Sequence, residues 1–319
     1  MEEQIIMYKS IDTQALNSVV ITGSLLNLEL REGKTKKDAK PYRAANASVR
    51  VNQFYGGKEE TSEIPLSFIA MKFKKDGTNN PVFDTLGGYA NEYKTAERNG
   101  LEAATHVQIN GRRGNGQLSE NMFVDNRNSE NVISSWNIRA SFLNEVRSNT
   151  AVSGADCATF DVEIFILNLE REVSAMGEET GRLKIRGGIV QWGRSLDVLD
   201  FYVEDPSAVD YIERNYNIND TVHVVGRVRY TSEVTTYQTE NSWGEAIPQT
   251  TTKKKHELII THGDDEPLPE ERAYDPEDIR VLVADRTARK EQKKMEAKSK
   301  PAQKPAEVAP TTTKYGWEE

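Results

Sequence analysis

Leu196 to Tyr230 reads LDVLDFYVEDPSAVDYIERNYNINDTVHVVGRVRY, and this stretch decides the fold. It starts with a short apolar run through Val203 that Pro206 ends, which is typical of a strand. Ala208 to Tyr216 then carries apolar residues at helical spacing, and valines from Val222 onward alternate with polar residues. The pattern predicts a strand, a short helix and a second strand. That second strand ends in Gly-Arg-Val-Arg-Tyr, so cations and an aromatic ring form a candidate nucleic-acid face.

An earlier stretch of the chain repeats this order. Ile64 to Phe73 has the pattern of a strand, Val82 to Tyr93 that of a short helix, and Thr105 to Arg113 that of a strand. When the two stretches are aligned on their last strands, Gly226-Arg227 falls on Gly111-Arg112. This agreement predicts a duplicated unit.

Three further strands complete each copy. They are Val19 to Leu30, Ala45 to Phe54 and Val132 to Val146 in the first copy, and Ala158 to Val173, Arg182 to Arg194 and His256 to His262 in the second. Five strands with one helix between the third and the fourth is the order of the OB-fold, a small, partly open barrel. We therefore predict a mainly β protein with two tandem five-stranded OB-fold barrels, a C-terminal helix and a disordered tail.

The two copies resemble the OB-folds of single-stranded DNA-binding proteins, in particular the tandem-domain versions of bacteriophages. Val19 to Leu25 (VVITGSL) matches the valine-rich opening strand of that family, and Tyr89 to Tyr93 (YANEY) matches the end of its helix. The second copy has Phe165 to Leu169 (FILNL) without the glycine, so its likeness rests on strand order and on Gly226-Arg227. The resemblance covers roughly residues 17 to 262. It implies a protein that coats and protects single-stranded DNA, without strong sequence preference, during phage DNA replication or recombination.

Composition divides the chain into five segments. They are a leader (1–16), a first OB-fold domain (17–147), a second OB-fold domain (148–262), a linker with a C-terminal helix (263–300) and a tail (301–319). Asp275 followed by Pro276 is a strong helix start, because Asp caps the free N–H groups of the first turn and Pro fits the first helical position. The tail is rich in Lys, Pro, Ala and Thr and poor in hydrophobic residues, which predicts disorder.

The 319-residue chain carries a net charge of −9, and only the first predicted barrel is net positive. This balance argues against a strongly basic, duplex-wrapping protein. Single-strand binding remains open, since stacking on aromatic rings contributes about 1–3 kcal/mol per base without any net charge. Cys157 has no second cysteine to pair with, and the sequence shows neither a signal peptide nor an apolar run of membrane-spanning length. We expect a cytoplasmic protein, in the host cytoplasm if phage-encoded, that does not bind membranes.

Candidate DNA contacts in the first barrel lie on loops and on one strand face. The lysine-rich loop Arg31 to Arg43 would border the binding surface of an OB-fold, although such a charge run also fits an ordinary solvated loop. Along Ala45 to Phe54, alternation separates an apolar face from a polar and cationic one. The predicted contacts are Lys36, Lys37, Arg43, Arg50, Phe54, Lys72, Arg112, Arg113 and Phe123. Phe123 is expected in a loop, from Gly114 to Glu130, that joins the last two strands. Trp136 fits a barrel core as well as it fits a stacking platform.

The second barrel offers the sharper candidate face. Five of the seven even positions of the strand Arg182 to Arg194 are cationic or aromatic, the others being Gly188 and Val190, whereas the odd positions include Leu183, Ile185 and Ile189. A bulge at Gly187-Gly188 would turn half of this set to the other face. The predicted contacts are Lys184, Arg186, Trp192, Arg194, Arg227, Arg229, Tyr237 and Trp243. The last two are expected in a long, mobile loop, residues 231–252, whose aromatic rings would stack on unpaired bases.

The chain ends in Tyr315-Gly316-Trp317-Glu318-Glu319. An aromatic pair beside terminal acids resembles the acidic tip by which bacterial and phage single-strand binders recruit replication proteins. The resemblance implies that Tyr315, Trp317, Glu318 and Glu319 bind a replication or recombination partner. A tail without a function is the alternative.

An enzyme is not expected. His106, His223, His256 and His262 lack metal-ligand spacing, and no catalytic or nucleotide-binding motif stands in a supporting context, so we predict neither a cofactor nor a metal. The main alternative is a non-catalytic scaffold whose barrels bind protein partners in a phage assembly. RNA instead of DNA is a further alternative, and the oligomeric state stays open.

Overall fold

The computed structural model describes residues 8–125, 128–146, 155–174, 176–239 and 247–299. These parts of the chain are mainly β, and their strands join in one twelve-stranded sheet. The sheet contains a closed barrel of five strands, with OB-like strand order, together with the strands of the first half of the chain.

The first half supplies seven strands and two helices. They are β1 (Asn17–Lys34), β2 (Pro41–Tyr55), β3 (Lys58–Met71), α1 (Pro81–Glu92), α2 (Ala96–Asn99), β4 (His106–Asn110), β5 (Gln117–Asp125), β6 (Asn128–Ala140) and β7 (Asn144–Glu145). β1 pairs antiparallel with β2 and β4, β2 with β3, β5 with β6 and β4 with β7. β3 runs parallel to β6 over a short segment.

The predicted fourth strand of this half ends at Asn110 as β4, short of Arg113, and a further strand, β5, begins at Gln117 inside the predicted loop. The turn between them contains Gly111 and Gly116. Both glycines have left-handed backbone angles, φ 66° and φ 98°, and a Cβ on Gly116 would collide with the carbonyl oxygen of Val19. Only glycine fits such a position. Phe123 therefore lies in strand β5, and the prediction that it belongs to a loop is wrong, because the β5–β6 hairpin extends to Asp125.

The second half closes into the five-stranded barrel. Its elements are β8 (Cys157–Val173), β9 (Glu179–Gln191), β10 (Ser195–Val203), α3 (Pro206–Asn215), β11 (Thr221–Thr239) and β12 (Ile247–Gly263). β8 pairs antiparallel with β9 and β11, β9 with β10, and β11 with β12, whereas β10 and β12 run parallel. The helix lies between the third and fourth strands, as the sequence predicts.

Alternation of apolar side chains builds the barrel core. On β9, Leu183, Ile185 and Ile189 are fully buried, whereas Arg186 is exposed. Beside Gly187, the ladder between β8 and β9 skips Leu167 on β8, so this irregularity lies on the opposite strand from the bulge considered above; a second shift lies near the hairpin end, between Arg171 and Val173. The cations of β9 therefore stay on one face of the sheet.

The two main helices of the halves are capped alike. The side chain of Asn80 accepts a hydrogen bond from the N–H of Val82 at the start of α1, and Asp205 does the same for the first N–H groups of α3. Each helix begins with proline, which needs no N–H partner there. Each helix ends at a tyrosine, Tyr93 for α1 and Tyr216 for α3.

The two halves share one continuous sheet through their first strands. Asn17 to Thr22 of β1 pairs antiparallel with Cys157 to Val162 of β8. On the far side of the same segments, β1 pairs with β4 and β8 pairs with β11. The segments are therefore central strands of the sheet.

A last helix, α4 (Pro276–Ser299), lies across both halves. Asp275 caps it by accepting a hydrogen bond from the N–H of Glu277, as predicted. Ile279 and Leu282 are buried, and the helix packs against β10 of the second half and against β5 and β6 of the first. Its far end also contacts the first half, where the Lys298 ammonium lies 3.0 Å from a carboxylate oxygen of Glu130.

The predicted mobile loop at residues 231–252 is instead largely strand. β11 continues to Thr239 and β12 begins at Ile247, and the two strands pair along this arm from Tyr230 to Thr239. Repeated threonines, a β-branched residue, favour extended strands in this arm. Among the described residues, no helix combines the length and the apolar character needed to cross a membrane.

Candidate nucleic-acid interface

A cleft of about 610 Å³, called the main cleft below, lies between the two halves and α4. Its aromatic and cationic lining residues are Trp136, Tyr202, His256, Arg186, Arg286 and Lys290. β9 and β10, the second and third strands of the five-stranded barrel, form one wall, and this is the strand face on which OB-folds bind oligonucleotides. β6 and α4 form the opposite walls.

Packed rings hold the aromatic residues of the main cleft in place. Trp136 meets Tyr230 edge to face, with 6.3 Å between ring centroids, and Tyr230 stacks on His256 at 3.6 Å. The Arg182 guanidinium lies 4.5 Å from the ring centroid of Tyr202. Ordered rings of this kind lose little side-chain entropy when a base stacks on them.

The cations of the main cleft differ in what they already bind. The Arg186 guanidinium lies 3.0 Å from a carboxylate oxygen of Asp200, and Arg286 pairs with the buried Glu120, its Nε 2.8 Å from the carboxylate. Lys290 makes no ion pair with another described residue. Burial, followed by repulsion from Arg286, lowers the pKa of Lys290 below its usual value. A bound anion would relieve this repulsion.

Glu120 explains why Arg286 stays in the wall of the cleft. Burial raises the pKa of the Glu120 carboxyl, but hydrogen bonds from Arg286, Ser134 and the Val198 N–H, with the charge of Arg286, together hold that pKa below its usual value. The Glu120 side chain is fully buried, so removing Arg286 would leave a buried carboxylate without its cation.

The predicted strand cations Arg227 and Arg229 lie in a second, denser cluster, which we call the interlock. Its members are Arg182, Arg227, Arg229, Glu60, Glu204 and Glu257. Arg227 is 5% exposed and contacts Glu60 of the first half at 3.0 Å and Glu204 at 3.2 Å. Arg229 contacts Glu204 at 2.7 Å and Glu257 at 2.9 Å. These arginines differ from the solvent-facing cations that strand alternation predicts, and phosphate contact by them would have to displace carboxylates.

Two other predicted contacts, Lys184 and Arg186, share the outer face of β9. The Lys184 ammonium lies 3.1 Å from the carboxylate of Asp200, which also binds Arg186. Arg186 lines the main cleft and keeps about half of its side chain exposed. The sequence therefore places Lys184 and Arg186 correctly on one face, and their contact with DNA stays a prediction.

Trp192 and Arg194 do not lie on the strand to which the sequence assigns them. β9 ends at Gln191, and Trp192, Gly193 and Arg194 form the turn to β10. Gly193 and Arg194 have left-handed backbone angles, φ 82° and φ 57°, which end the extended conformation. Arg194 binds Asp12 with two hydrogen bonds, and Trp192 is 76% exposed.

In the first half, two arginines that the sequence predicts to contact DNA are paired within the protein or partly buried. Arg43 donates to the carbonyl oxygen of Phe83 at 2.6 Å and pairs with Glu32, so it fastens α1 to the β1–β2 hairpin. Arg50 is half-buried, and its buried Nε has no partner among the described residues.

The remaining predicted contacts of the first half are spread over its surface. They are the exposed residues Lys36, Lys37, Phe54, Lys72, Arg112 and Phe123. Phe54 is 77% exposed at the β2–β3 hairpin, and none of this set lines the main cleft.

Several predicted residues lie outside the described side chains. Trp243, Tyr315, Trp317, Glu318 and Glu319 fall outside the described residues, and for Arg113 and Tyr237 only the backbone is described.

The sequence of residues 15–299 matches the model of the YorF family. The chain belongs to this family. No curated protein matches it. Among solved structures, it is similar to a replication protein A heterotrimer bound to single-stranded DNA, with 9% identity and a TM-score of 0.20 over 89% of this chain. The chain spans about half, 54%, of that protein's length, and so low a TM-score carries no argument about fold or function.

Sequence reasoning missed three residues of the main cleft in this YorF-family chain. Tyr202 alternates with the buried Phe201 and Val203 on β10, so the period of a strand already turns it outward. Arg286 and Lys290 follow the apolar residues of α4 at helical spacing, so they lie on the same face of the helix. This spacing predicts that both cations face the barrel. What the sequence could not supply is the position of α4 between the two halves.

Proposed function

We propose that this protein binds single-stranded DNA in the main cleft and acts as a binding protein rather than an enzyme. The observation that carries the proposal is Lys290, a cation with no carboxylate partner among the described residues, next to ordered aromatic rings. Phosphate would bind Lys290, and bases would stack on Trp136 and Tyr202.

Two further observations support the location. The main cleft uses the second and third strands of an OB-like barrel, the usual oligonucleotide surface of that fold. Serine side chains of β6, Ser134 and Ser135, also line the main cleft and can hydrogen-bond to phosphates or base edges.

We further propose that the first half is a second OB unit, so that the chain holds two tandem copies. Its strand pairing follows the same order if β4 and β5 count as one broken strand. The ladder of β1 with β2 skips Leu26, just as that of β8 with β9 skips Leu167. The one-residue irregularity at the matching position of both ladders and the matching helix caps support a duplication.

The finer roles also remain proposals. These are coating of single strands during replication or recombination, a phage setting, and recruitment of partner proteins through Tyr315 to Glu319. A non-catalytic protein scaffold is the competing function. It is favoured by the net charge of −9, which disfavours nucleic acid at long range.

Fluorescence anisotropy with labelled oligo-dT of about 30 nucleotides tests the proposal, with matched duplex and RNA across a salt series. We expect tight binding of the single strand, with log K falling by about 0.7 per log unit of salt for each phosphate neutralised. Lys290→Glu should weaken binding at least about tenfold. It should also reduce the slope of log K against log salt by about 0.7 for each phosphate contact that is lost.

Lys298→Glu is the matched control, because it makes the same charge change on the same helix beside Glu130 and away from the main cleft. It should bind almost as the unchanged protein does. Equal weakening by both variants would show a general charge effect. If the unchanged protein did not bind oligo-dT at low salt, the scaffold function would be favoured instead. Preference for RNA would replace the DNA ligand with RNA.

A further inference from the structure

A second cleft, called the side cleft, lies on the other flank of α4 and has a volume of about 430 Å³. β5 and β6 of the first half, the β9–β10 turn of the second half and the N-terminal segment all contribute to it. α4 separates the two clefts, because Arg286 and Lys290 face the main cleft whereas Arg289 and Lys293 face the side cleft.

Trp192 is presented to the side cleft by a fixed turn. Its side chain is 76% exposed, which is unusual for so large an apolar group. Arg194, two residues later, is tied to Asp12 with its Nη2 2.6 Å from a carboxylate oxygen. Ala15 donates its N–H to the carbonyl of Val190 just before the turn. The backbone on both sides of Trp192 is therefore held, while the ring itself remains open to a ligand.

Amide side chains line the side cleft together with Trp192. Gln191 donates to the carbonyl of Leu118 at 3.0 Å and accepts from Gln14 at 3.1 Å, so these two amides are oriented. Gln117 and Asn121 also line the side cleft and make no side-chain hydrogen bond with another described residue. A primary amide offers both donors and an acceptor, the combination that base edges require.

Charge in the side cleft favours an anion. Arg139, Arg289 and Lys293 line it, against the carboxyl groups of Glu120 and Asp197. Glu120 is already paired with Arg286 from the neighbouring cleft, and burial raises the pKa of the Asp197 carboxyl. Cations therefore exceed uncompensated carboxylates.

We infer that the side cleft is a nucleobase-binding subsite for single-stranded nucleic acid. One base stacks on Trp192, the amides of Gln117 and Asn121 contact its edge, and Arg289 and Lys293 hold the neighbouring phosphates. This inference rests on the proposed function, because it extends the path of the strand from the main cleft past α4. It differs from that function in requiring a base, and not only the backbone, at the side cleft.

The test compares two ligands of about 30 nucleotides, oligo-dT and an abasic oligomer with the same sugar-phosphate backbone. Anisotropy titrations use the full chain, Trp192→Ala, the conservative Trp192→Phe and Lys290→Glu. Met176→Ala serves as a matched control, since Met176 is an 89% exposed apolar residue at the turn between β8 and β9.

Trp192→Ala should lower affinity for oligo-dT about 5- to 150-fold, the equivalent of about 1–3 kcal/mol for one stacked base. Its affinity for the abasic oligomer should equal that of the unchanged protein, Trp192→Phe should retain most binding to oligo-dT, and Met176→Ala should retain all of it. Lys290→Glu should lose affinity for both ligands.

Two results overturn the inference while leaving single-strand binding intact. One is tight binding of oligo-dT by the unchanged protein together with an unaltered affinity of Trp192→Ala. The other is an equal loss by Trp192→Ala on both ligands, which would mean a backbone contact. Failure of the unchanged protein to bind oligo-dT would overturn the proposed function and the inference with it.

Discussion

The interlock and the main cleft both bring cationic side chains together, but the two groups differ in what those side chains contact. In the interlock, Arg182, Arg227 and Arg229 face glutamates from both halves, and burial is high. In the main cleft, Arg186 and Arg286 pair with Asp200 and Glu120, whereas Lys290 makes no ion pair with another described residue. The interlock cations hold the halves together, whereas Lys290 is available to a ligand.

Alternation along a strand reveals which side chains share a face, but not which groups pack opposite them. Arg227 and Arg229 do point away from the barrel core, as their spacing predicts. Glu60, about 170 residues earlier in the chain, arrives opposite them only because β3 of the first half packs against β11. No local pattern reports such a contact.

Arg227→Ala should have the largest effect on stability among the variants considered. It would remove the most deeply buried cation from Glu60 and Glu204, which would keep Arg229 as a neighbour, and removal of one partner from a buried pair costs about 3–5 kcal/mol. Urea unfolding should show a loss of about that size in the free energy of unfolding. Arg31→Ala, which removes an exposed pair with Glu29, should change it by less than about 1 kcal/mol. If the two variants lost equally little, the interlock would be an ordinary surface network.

Leu282→Ala should have the next largest effect, because it weakens the docking of the helix that carries Lys290. Leu282 is 2% exposed, and truncating a buried leucine costs about 2–5 kcal/mol. We expect a value near the lower end of that range in urea, since the site lies where a helix meets the barrel, together with weaker binding of oligo-dT.

Val281→Ala provides the control for that change on the same helix, since Val281 is 57% exposed. Its free energy of unfolding should shift by no more than about 0.5 kcal/mol. Loss of stability in Leu282→Ala without any loss of binding would show that α4 does not form the wall of the ligand site.

The smallest expected effect concerns His223, whose ion pairs are partly exposed. Its Nε2 lies 2.7 Å from Asp161 and its Nδ1 2.9 Å from Asp264. Burial lowers the pKa of His223, but hydrogen bonds to Asp264 and Asp161 outweigh burial and raise that pKa above 6.5. The proton is thus held more tightly in the folded state.

His223 should therefore stabilise the fold fully below about pH 6.5 and lose that contribution as pH rises through the raised pKa. The difference in free energy of unfolding between the unchanged protein and His223→Gln should be at most about 1 kcal/mol near pH 5.5 and vanish near pH 9, because solvent screens the pairs. Urea unfolding at the two pH values measures it. A difference that grows with pH would contradict the assignment.

Strand order was the most predictable property of this chain. Apolar alternation and the helical spacing from Ala208 to Tyr216 were enough to predict the barrel of the second half, because both are local signals. The break at Gly111 to Gly116 and the strand arm beyond Tyr230 were not predicted, since a glycine-rich or threonine-rich stretch fits a loop equally well when its partner strand is unknown.

The candidate site was harder to predict than the fold. The sequence predicts Arg186 on the outer face of β9, and in the structure that side chain lines the main cleft. It predicts Trp192 on the same strand, but Trp192 lies in the turn that follows β9. Lys290 was not singled out, because a lysine in a polar helix has the same pattern whether it faces solvent or a cleft. Its position depends on where α4 docks, and that docking involves both halves.

The pairing of β1 with β8 has a consequence for the newly made chain. Residues 17–22 of β1 leave the ribosome long before residues 157–162 of β8, which cover their free edge in the finished sheet. During that interval the first half presents unpaired N–H and C=O groups on an apolar strand, the kind of edge that pairs with other chains. Synthesis therefore passes through a stage prone to aggregation, and slow translation or truncation before residue 157 would prolong that exposure.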